Sequence, residues 1–311
     1  LFCNVKADCV IENRTLNNLY EAPLMLEESG FSDVVCRELH IDAAKPDLEE
    51  WKQMVERIHN RAKEVQIGLV GKYVKLHDAY LSIAEALQHA GYEKNTFIKI
   101  HWIDSEEITK QNVGRILGGL HGVIIPGGFG NRGIEGMIVA AQYAREKKLP
   151  YLGICLGMQI AVIEFARNVI GYTDAGSGEF EEQCPHKVID FMPGQSEEVA
   201  KGGTLRLGSY PCRITAGTMM EKCYEEQMIQ ERHRHRYEFN NEYRETLIQH
   251  GLVISGTSPD DRLVEAVELG NHPFFVGVQF HPEFKSRPNQ AHPLFKGFVS
   301  ASLEQKKRLT E

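Results

Sequence analysis

This chain lacks several things, and each absence closes off a class of function. No apolar run approaches a membrane span: the longest, such as Gly122 to Pro126 and Phe274 to Val278, are far shorter than the ~20 residues a spanning helix needs. Positive charge is not in excess, since 35 Lys and Arg against 43 Asp and Glu leave a net charge of −8. Nucleic-acid phosphates and anionic membrane surfaces are therefore not expected partners. Cysteine is sparse and scattered, at positions 3, 9, 36, 155, 184, 212 and 223. The number is odd and no pair has C-x-x-C spacing, so a zinc ribbon or a thioredoxin-type site is excluded, and reduced thiols in a cytoplasmic protein are expected. There is no G-x-x-x-x-G-K-[ST] phosphate loop, and Gly68-Leu69-Val70-Gly71-Lys72-Tyr73 is no substitute. Internal repeats and low-complexity tracts are missing too. Position 1 is not Met, and Leu1-Phe2-Cys3-Asn4 runs into charged sequence without a signal-peptide pattern, so a fragment of a longer polypeptide is expected.

What is present has the texture of a globular α/β protein, with 42% hydrophobic and 25% charged residues in 311. Leu19 to Glu28 reads as helical and Ile41 to Pro46 as a connector. Asp47 followed by Glu50 resembles a capped helix start, and Trp51, Met54, Val55 and Ile58 repeat at helical spacing to a predicted end near Lys63. Residues 1–63 are expected to be the tail of an upstream domain plus a linker helix, and residues 64–311 the main domain. From Val65 the pattern alternates. Strands are predicted at Val65–Val70, Phe97–Ile103, Gly122–Pro126 and Pro150–Ile154. The intervening helices run from an Asp78 cap to Gly91, over Glu106–Leu120 and over Ile134–Lys147, and Leu156–Asn168 follows the last strand. Such βαβ units predict a mostly parallel central sheet flanked by helices. After Tyr172 short β-prone pieces take over, with Val264–Leu269 and Phe274–Phe280 as two strands joined tightly, adding antiparallel strands.

Gly153-Ile154-Cys155-Leu156-Gly157 has the form G-x-nucleophile-x-G where an apolar strand enters an apolar helix. That turn forces the nucleophile into strained backbone, small flanking residues relieve crowding, and the helix N-terminus favours a thiolate. The bland alternative is a buried cysteine between packing glycines. Phe274 to Phe280 runs into His281-Pro282-Glu283, and two residues apart in extended chain His281 and Glu283 point to one side. Histidine can take the thiol proton, while a carboxylate fixes its tautomer. Alone, His-Pro-Glu would read as a strand-ending turn.

Gly128-Phe129-Gly130-Asn131-Arg132-Gly133 matches G-x-G-x-x-G. The dinucleotide reading is disfavoured because the strand is not the first of the sheet and no ribose-binding acid follows about 20 residues on. The favoured use is presentation of backbone N–H groups to an oxyanion, beside the N–H of Leu156. Glu231-Arg232-His233-Arg234-His235-Arg236-Tyr237-Glu238 reads as a strand exposing alternate faces, or as the source of one arginine that forks onto a substrate carboxylate.

With Pro126-Gly127-Gly128-Phe129-Gly130, the Cys155 turn through Gln159, and Phe280-His281-Pro282-Glu283-Phe284 assembled, the chain resembles the triad-type glutamine amidotransferases. Val70-Gly71-Lys72-Tyr73, Gly202 to Gly208, Glu231 to Arg236 and Asn271-His272-Pro273-Phe274 make it similar to the glutaminase domain of CTP synthases in particular, over nearly all of residues 65–300. The resemblance implies a class I amidotransferase fold. It implies a Cys155–His281–Glu283 triad, an oxyanion hole at Gly128 and Leu156, and glutamine held by Gly128, Leu156, Gly157, Met158, Gln159, Glu179 and Arg236. A glutamyl thioester would be hydrolysed with no metal and no cofactor. Gly176-Ser177-Gly178-Glu179-Phe180 stands where the family usually has Asn-Ser-Thr-Glu-Phe. In the full-length enzyme the resemblance implies ATP and magnesium, GTP activation, a synthetase domain that aminates UTP to CTP, and a homotetramer. The amidoligase core is absent from this sequence, so ammonia release can be argued for it and CTP formation cannot. Two alternatives stand: a γ-glutamyl or peptide-bond cysteine hydrolase of the same fold, and a non-catalytic regulatory domain.

Overall fold

The computed structural model describes residues 4–181, 183–191 and 206–310. Leu1-Phe2-Cys3 and the Gly202 to Leu205 part of the quoted motif lie outside the described residues. The chain forms two compact units, Leu1–Ala62 and Lys63–Glu311. No helix among the described residues is long and apolar enough to cross a membrane.

The first unit holds α1 (Ala22–Glu28), α2 (Phe31–Leu39) and α3 (Glu49–His59). Met54, Val55 and Ile58 are the buried stripe of α3, as their spacing predicts. The predicted start is corrected. Leu48 is the N-cap, and the Asp47 carboxylate takes the Glu49 N–H at 3.0 Å without capping the helix. The predicted end at Lys63 is also too late, because Lys63 already pairs with Thr96 in the sheet.

The second unit runs β1 (Lys63–Gly71), α4 (Leu81–Glu93), β2 (Thr96–Asp104), α5 (Val113–Leu117), β3 (Gly122–Ile125), α6 (Ile134–Lys147), β4 (Tyr151–Ile154) and α7 (Leu156–Phe165). It continues with β5 (Ala175–Ser177), β6 (His186–Phe191), β7 (Arg206–Ile214), α8 (Met219–Tyr224), β8 (Met228–His235), β9 (Tyr237–Phe239) and α9 (Arg244–Gln249). Then come β10 (Val253–Thr257), β11 (Val264–Glu268), β12 (Phe275–Val278) and α10 (Pro293–Thr310). The large sheet has the order β2-β1-β3-β4-β12-β11-β10-β7-β8. From β2 to β12 neighbours are parallel, and from β12 onward antiparallel. This is the mostly parallel sheet with added antiparallel strands that the sequence predicts. β5, β6 and β9 form a second, small sheet.

Burial explains the central strands. β3, β4 and β12 have no exposed residue, so they read as short apolar runs with no alternation. Two apolar clusters cover the two faces, one built with α5, α6 and α7, the other with α4 and α10. α7 is buried all round, and packs against β4 and β12 on one side and the small sheet on the other.

Three further expectations need correction. Asp78 sits in a 3₁₀ turn, His77–Tyr80, and caps nothing. Gly91 lies inside α4, where a Cβ would come within 2.6 Å of the Thr96 carbonyl oxygen, so it permits close approach and does not end the helix. Glu106–Leu120 is mostly not helix. The Asn112 side chain accepts from Thr109 N at 2.8 Å and donates to Glu107 O at 2.8 Å, local bonds that compete with a helix ladder, and Val113–Leu117 is the only α-helical part, after a 3₁₀ turn at Ser105–Glu107. Leu156–Asn168 is helical throughout as predicted, α to Phe165 and then a π-helix over Ala166–Ile170.

Glu164 on α7 is fully buried, and its charge is met by Arg145 of α6, whose Nη2 lies at 2.8 Å and Nε at 3.0 and 3.1 Å. Removing one partner of such a pair strands a charge, whereas replacing both does not. Arg145→Ala is expected to lower unfolding stability by about 3–5 kcal/mol, and Arg145→Ala with Glu164→Leu to recover most of it. Urea unfolding curves of the two variants check this.

Candidate active site

β4 ends at Ile154 and α7 begins at Leu156, leaving one residue to reverse the chain. Cys155 takes φ 52° and ψ −101°, a positive φ with a ψ outside the left-handed helical region. Such backbone costs on the order of 1–3 kcal/mol and survives only where surroundings over-determine it. They do: Cys155 N–H donates to Val278 O of β12 at 2.7 Å, and Met158 N and Gln159 N both donate to Cys155 O. Gly157 is required by packing, since a Cβ would lie 2.1 Å from the Ile125 carbonyl oxygen. The thiol is buried, and the Gln279 amide nitrogen is 3.5 Å from its sulfur.

The late strand brings the base. His281 N–H donates to Arg232 O of β8 at 2.8 Å, and His281 Nδ1 lies 2.8 Å from Glu283 Oε1. They do not meet by strand alternation as expected. Pro282–Lys285 is a 3₁₀ turn with proline at its start, and Glu283 reaches the ring from inside that turn. With Nδ1–H given to the carboxylate, Nε2 is left for the thiol; it is buried and has no hydrogen-bond partner among the described residues. Gly127 borders both. A Cβ there would be 3.0 Å from His281 Cε1 and 3.6 Å from Cys155 Cβ, so ring and thiol border one point in space. Burial alone would lower the His281 pKa, but the negative charge of an ionised Cys155 and then Glu283 outweigh it and raise it to about 10.

A cavity of about 560 Å³ opens beside the sulfur, lined by Gly128, Gln159, Glu179 and Arg236 among the expected residues, with Phe129, Phe191, His235 and Tyr237 in addition. Arg236 Nε is buried and unpartnered among the described residues. Glu179 accepts the Gly130 N–H at 2.8 Å; burial raises its pKa, against the pull of that bond and of Lys72 and Arg236. The N–H groups of Gly128 and Leu156 reach no acceptor among the described residues. Gly157 and Met158 do not line the cavity. The Met158 side chain is fully buried in the core, its N–H is spent on Cys155 O, and the Gly157 carbonyl accepts the Tyr151 hydroxyl at 2.7 Å. They build the turn.

Besides those additional lining residues, sequence reasoning missed two side chains that tie the site together. Gln279 was findable, since alternation from His281 puts it on the same side of the strand. Lys72 was not. Its ammonium ion crosses the sheet edge to the Phe129 carbonyl at 3.1 Å and to the Gly130 carbonyl, tying down the glycine loop; burial, then the charge of Arg132, push it down to about 8 against Glu179. The Gly130 N–H is taken by Glu179, so the G-x-G-x-x-G loop is fastened into the cavity wall. In the basic cluster, β8 buries Glu231, His233 and His235 and exposes Arg232 and Arg234, the alternate-face reading. No group of three or more His, Cys, Asp or Glu side chains that could hold a metal occurs among the described residues.

Residues 75–301 match the family described as Glutamine amidotransferase class-I. The chain belongs to that family. Within it, the amidotransferase is of the CTP synthase type. It is 58% identical over 307 residues to the CTP synthase of Carboxydothermus hydrogenoformans, covering 99% of this chain and 57% of that protein. With the CTP synthase of Listeria innocua it shares 54% over 306 residues, 98% of this chain and 58% of that protein. The chain thus spans little more than half the length of the curated relatives it matches. Among solved structures, the CTPS glutaminase domain of Trypanosoma brucei with bound acivicin superposes with a TM-score of 0.73 at 39% identity, covering 77% of this chain and 94% of that one.

The raised His281 pKa has a checkable cause. In Cys155→Ala the first of the raising charges disappears while Glu283 remains. An NMR titration of the imidazole resonances is expected to place His281 near pH 10 in the native chain and lower in the variant. No difference between the two would refute the thiolate–imidazolium attraction. Because the folded pKa lies above the ordinary ~6.5, this pair stabilises the fold fully below that pH and ceases to do so as pH rises through about 10.

Proposed function

We propose that this chain hydrolyses the side-chain amide of L-glutamine to glutamate and ammonia, with Cys155 as nucleophile, His281 as acid and base, and Glu283 as the group that orients His281. The reading rests above all on one observation: a cysteine in strained backbone at a strand-to-helix turn and a carboxylate-braced imidazole that both border Gly127.

In its thiolate form Cys155 attacks the amide carbon. The oxygen that gains charge meets the N–H groups of Gly128 and Leu156, each worth roughly 10²–10³ in rate. His281, protonated below about pH 10, gives the Nε2 proton to the leaving nitrogen. Ammonia departs, and a γ-glutamyl thioester remains on the sulfur. Water then attacks the thioester while His281 Nε2 takes its proton, the carbon–sulfur bond breaks, and glutamate leaves. Thiolate and imidazolium are restored, so the net change is glutamine plus water to glutamate plus ammonia. The Arg236 guanidinium supplies the charge to hold the substrate α-carboxylate, and Glu179 can meet the α-ammonium group. Gly157 and Met158 contribute through the shape of the turn.

The proposal extends to the longer polypeptide that the CTP synthase relatives represent. There the ammonia would aminate UTP activated by ATP, yielding CTP, ADP and phosphate. Residues 1–63 would be the end of that synthetase domain and its linker, the assembly a cytoplasmic homotetramer, and GTP an activator. Magnesium would serve the ATP step, and no step of glutamine hydrolysis runs through it. A glutaminase assay with and without the missing domain added in trans separates the two parts.

Cys155→Ala is expected to abolish glutamate release with the circular dichroism spectrum unchanged, and His281→Ala to cost roughly 10²–10⁴ in rate or more. A glutamine-mimicking electrophile should label Cys155 and spare Cys184, Cys212 and Cys223, whose thiols burial pushes up, Cys223 to about 12. Peptide mapping that finds several cysteines labelled equally would remove the privileged nucleophile.

A further inference from the structure

A line of buried side chains runs from the cavity wall into the antiparallel half of the sheet, and the chemistry above makes no use of it. It starts at His235, a cavity residue whose Nδ1 lies 3.1 Å from the Tyr237 carbonyl oxygen. A carbonyl only accepts, so Nδ1 carries the proton. Burial first, and then the Arg206 charge, push His235 down to about 3 and His233 to about 2, so near neutral pH each ring has a single N–H. His235 Nε2 is then a bare lone pair 2.9 Å from His233 Nδ1, which must donate. The same count leaves His233 Nε2 bare. It faces Glu265 Oε2 at 3.7 Å, and neither atom has a hydrogen-bond partner among the described residues.

Two lone pairs facing each other at that distance repel; a proton on Glu265, aimed at His233 Nε2, turns the repulsion into attraction. The surroundings favour that proton. Glu265 is fully buried on β11, and burial lifts its pKa to about 7 against the opposing pull of Arg206, with Asp260 adding to the lift. Buried Glu238 of β9 is raised to about 7 as well, by burial and then by Glu265. Arg206 of β7 holds the other Glu265 oxygen at 2.5 Å and lies over the Tyr210 ring at 4.5 Å. At the cavity end, the Tyr237 carbonyl also accepts from Gln159 Nε2 at 3.0 Å. Gln159 reaches Gln279 Oε1 at 3.3 Å, and Gln279 reaches the Cys155 sulfur. The Glu265 carbonyl accepts the Gln279 N–H at 2.8 Å, so the backbone joins the same two ends.

We propose that Arg206, Glu265, His233 and His235 form a positioning network that fixes the Tyr237 carbonyl, and through it the Gln159 amide, for the bound substrate. A proton on Glu265 faces the His233 Nε2 lone pair across 3.7 Å, and from His233 each hydrogen bond runs one way, to His235 and on to the carbonyl. This rests on the glutaminase reading and adds positioning residues to it.

The test uses the full chain and two readouts. In His233→Ala, KM for glutamine is expected to rise about tenfold with kcat within about threefold of the native value, the worth of one lost buried hydrogen bond. Glu265→Ala should do the same. Glu265→Gln, whose amide N–H can donate to His233 Nε2, should bring KM back to within about twofold. Independently of turnover, long-range ¹H–¹⁵N spectra should show His233 and His235 both as neutral Nδ1–H tautomers at pH 7. An Nε2–H tautomer at His233, an unchanged KM in His233→Ala, or a Glu265→Gln as impaired as Glu265→Ala would overturn the network. A lowered unfolding midpoint with kcat and KM both degraded would reduce it to ordinary core packing. Should Glu265→Ala not fold, His233→Ala and the spectra decide. Should the native chain release no glutamate, the glutaminase reading fails, while the tautomers still decide the network.

Discussion

Cys155 is held in backbone that a free chain would leave, and much of the second unit can be understood as what prevents it from leaving. The turn is pinned by Val278 of β12 on one side and by the first N–H groups of α7 on the other. β12 is held in place by parallel pairing with β4 and antiparallel pairing with β11, and α7 by burial between two sheets. A strain of a few kcal/mol is large beside the 5–15 kcal/mol by which a typical domain is stable, so it must be spread over a rigid core. β3, β4, β12 and α7, with no exposed residue among them, provide that core.

The same rigidity makes the electrostatics strong. His281 would be deprotonated by burial alone, yet charges on both sides of the ring reverse the outcome. In water those attractions would be screened to a fraction of their size; in a buried site they set the protonation state. The opposite result holds for His233 and His235, which face Arg206 and stay neutral. Three histidines within one region thus carry two protonation states: burial, with Arg206 adding to it, keeps two neutral, while at the third the charges of Cys155 and Glu283 outweigh burial. The first state suits proton transfer to a leaving amine, and the second suits a directional line of hydrogen bonds.

The cavity wall joins these two regimes. Gln159 and Gln279 connect the sulfur to the Tyr237 carbonyl, where the neutral histidine pair ends. On the other wall Lys72 and Glu179 hold the glycine loop by its carbonyls and N–H, in place of the phosphate that such a loop could cradle. Each tie is made by a residue distant in sequence, which is why the loop's six-residue pattern taken alone left two uses open.

What the sequence determined by itself was whatever depends on near neighbours. The alternation of short apolar runs with helices specified a parallel sheet, because strands buried on both faces cannot tolerate polar residues. Gly153 to Gly157 specified the turn, because only small residues fit where a strand meets a helix so abruptly. Local reasoning failed where local forces were outvoted. Asn112 unwound a predicted helix through its own hydrogen bonds, and Gly91 sits in the last turn of its helix because Thr96 of the next strand comes so near. Only the tertiary structure decided that residues 155 and 281 share one point beside Gly127, that Met158 turns into the core, that Gln279 reaches the sulfur, and that Lys72 and Glu179 hold the glycine loop. Those placements follow from strand order, in which β12 inserts next to β4 across more than a hundred residues, and no periodicity along a chain encodes which strand will be its neighbour.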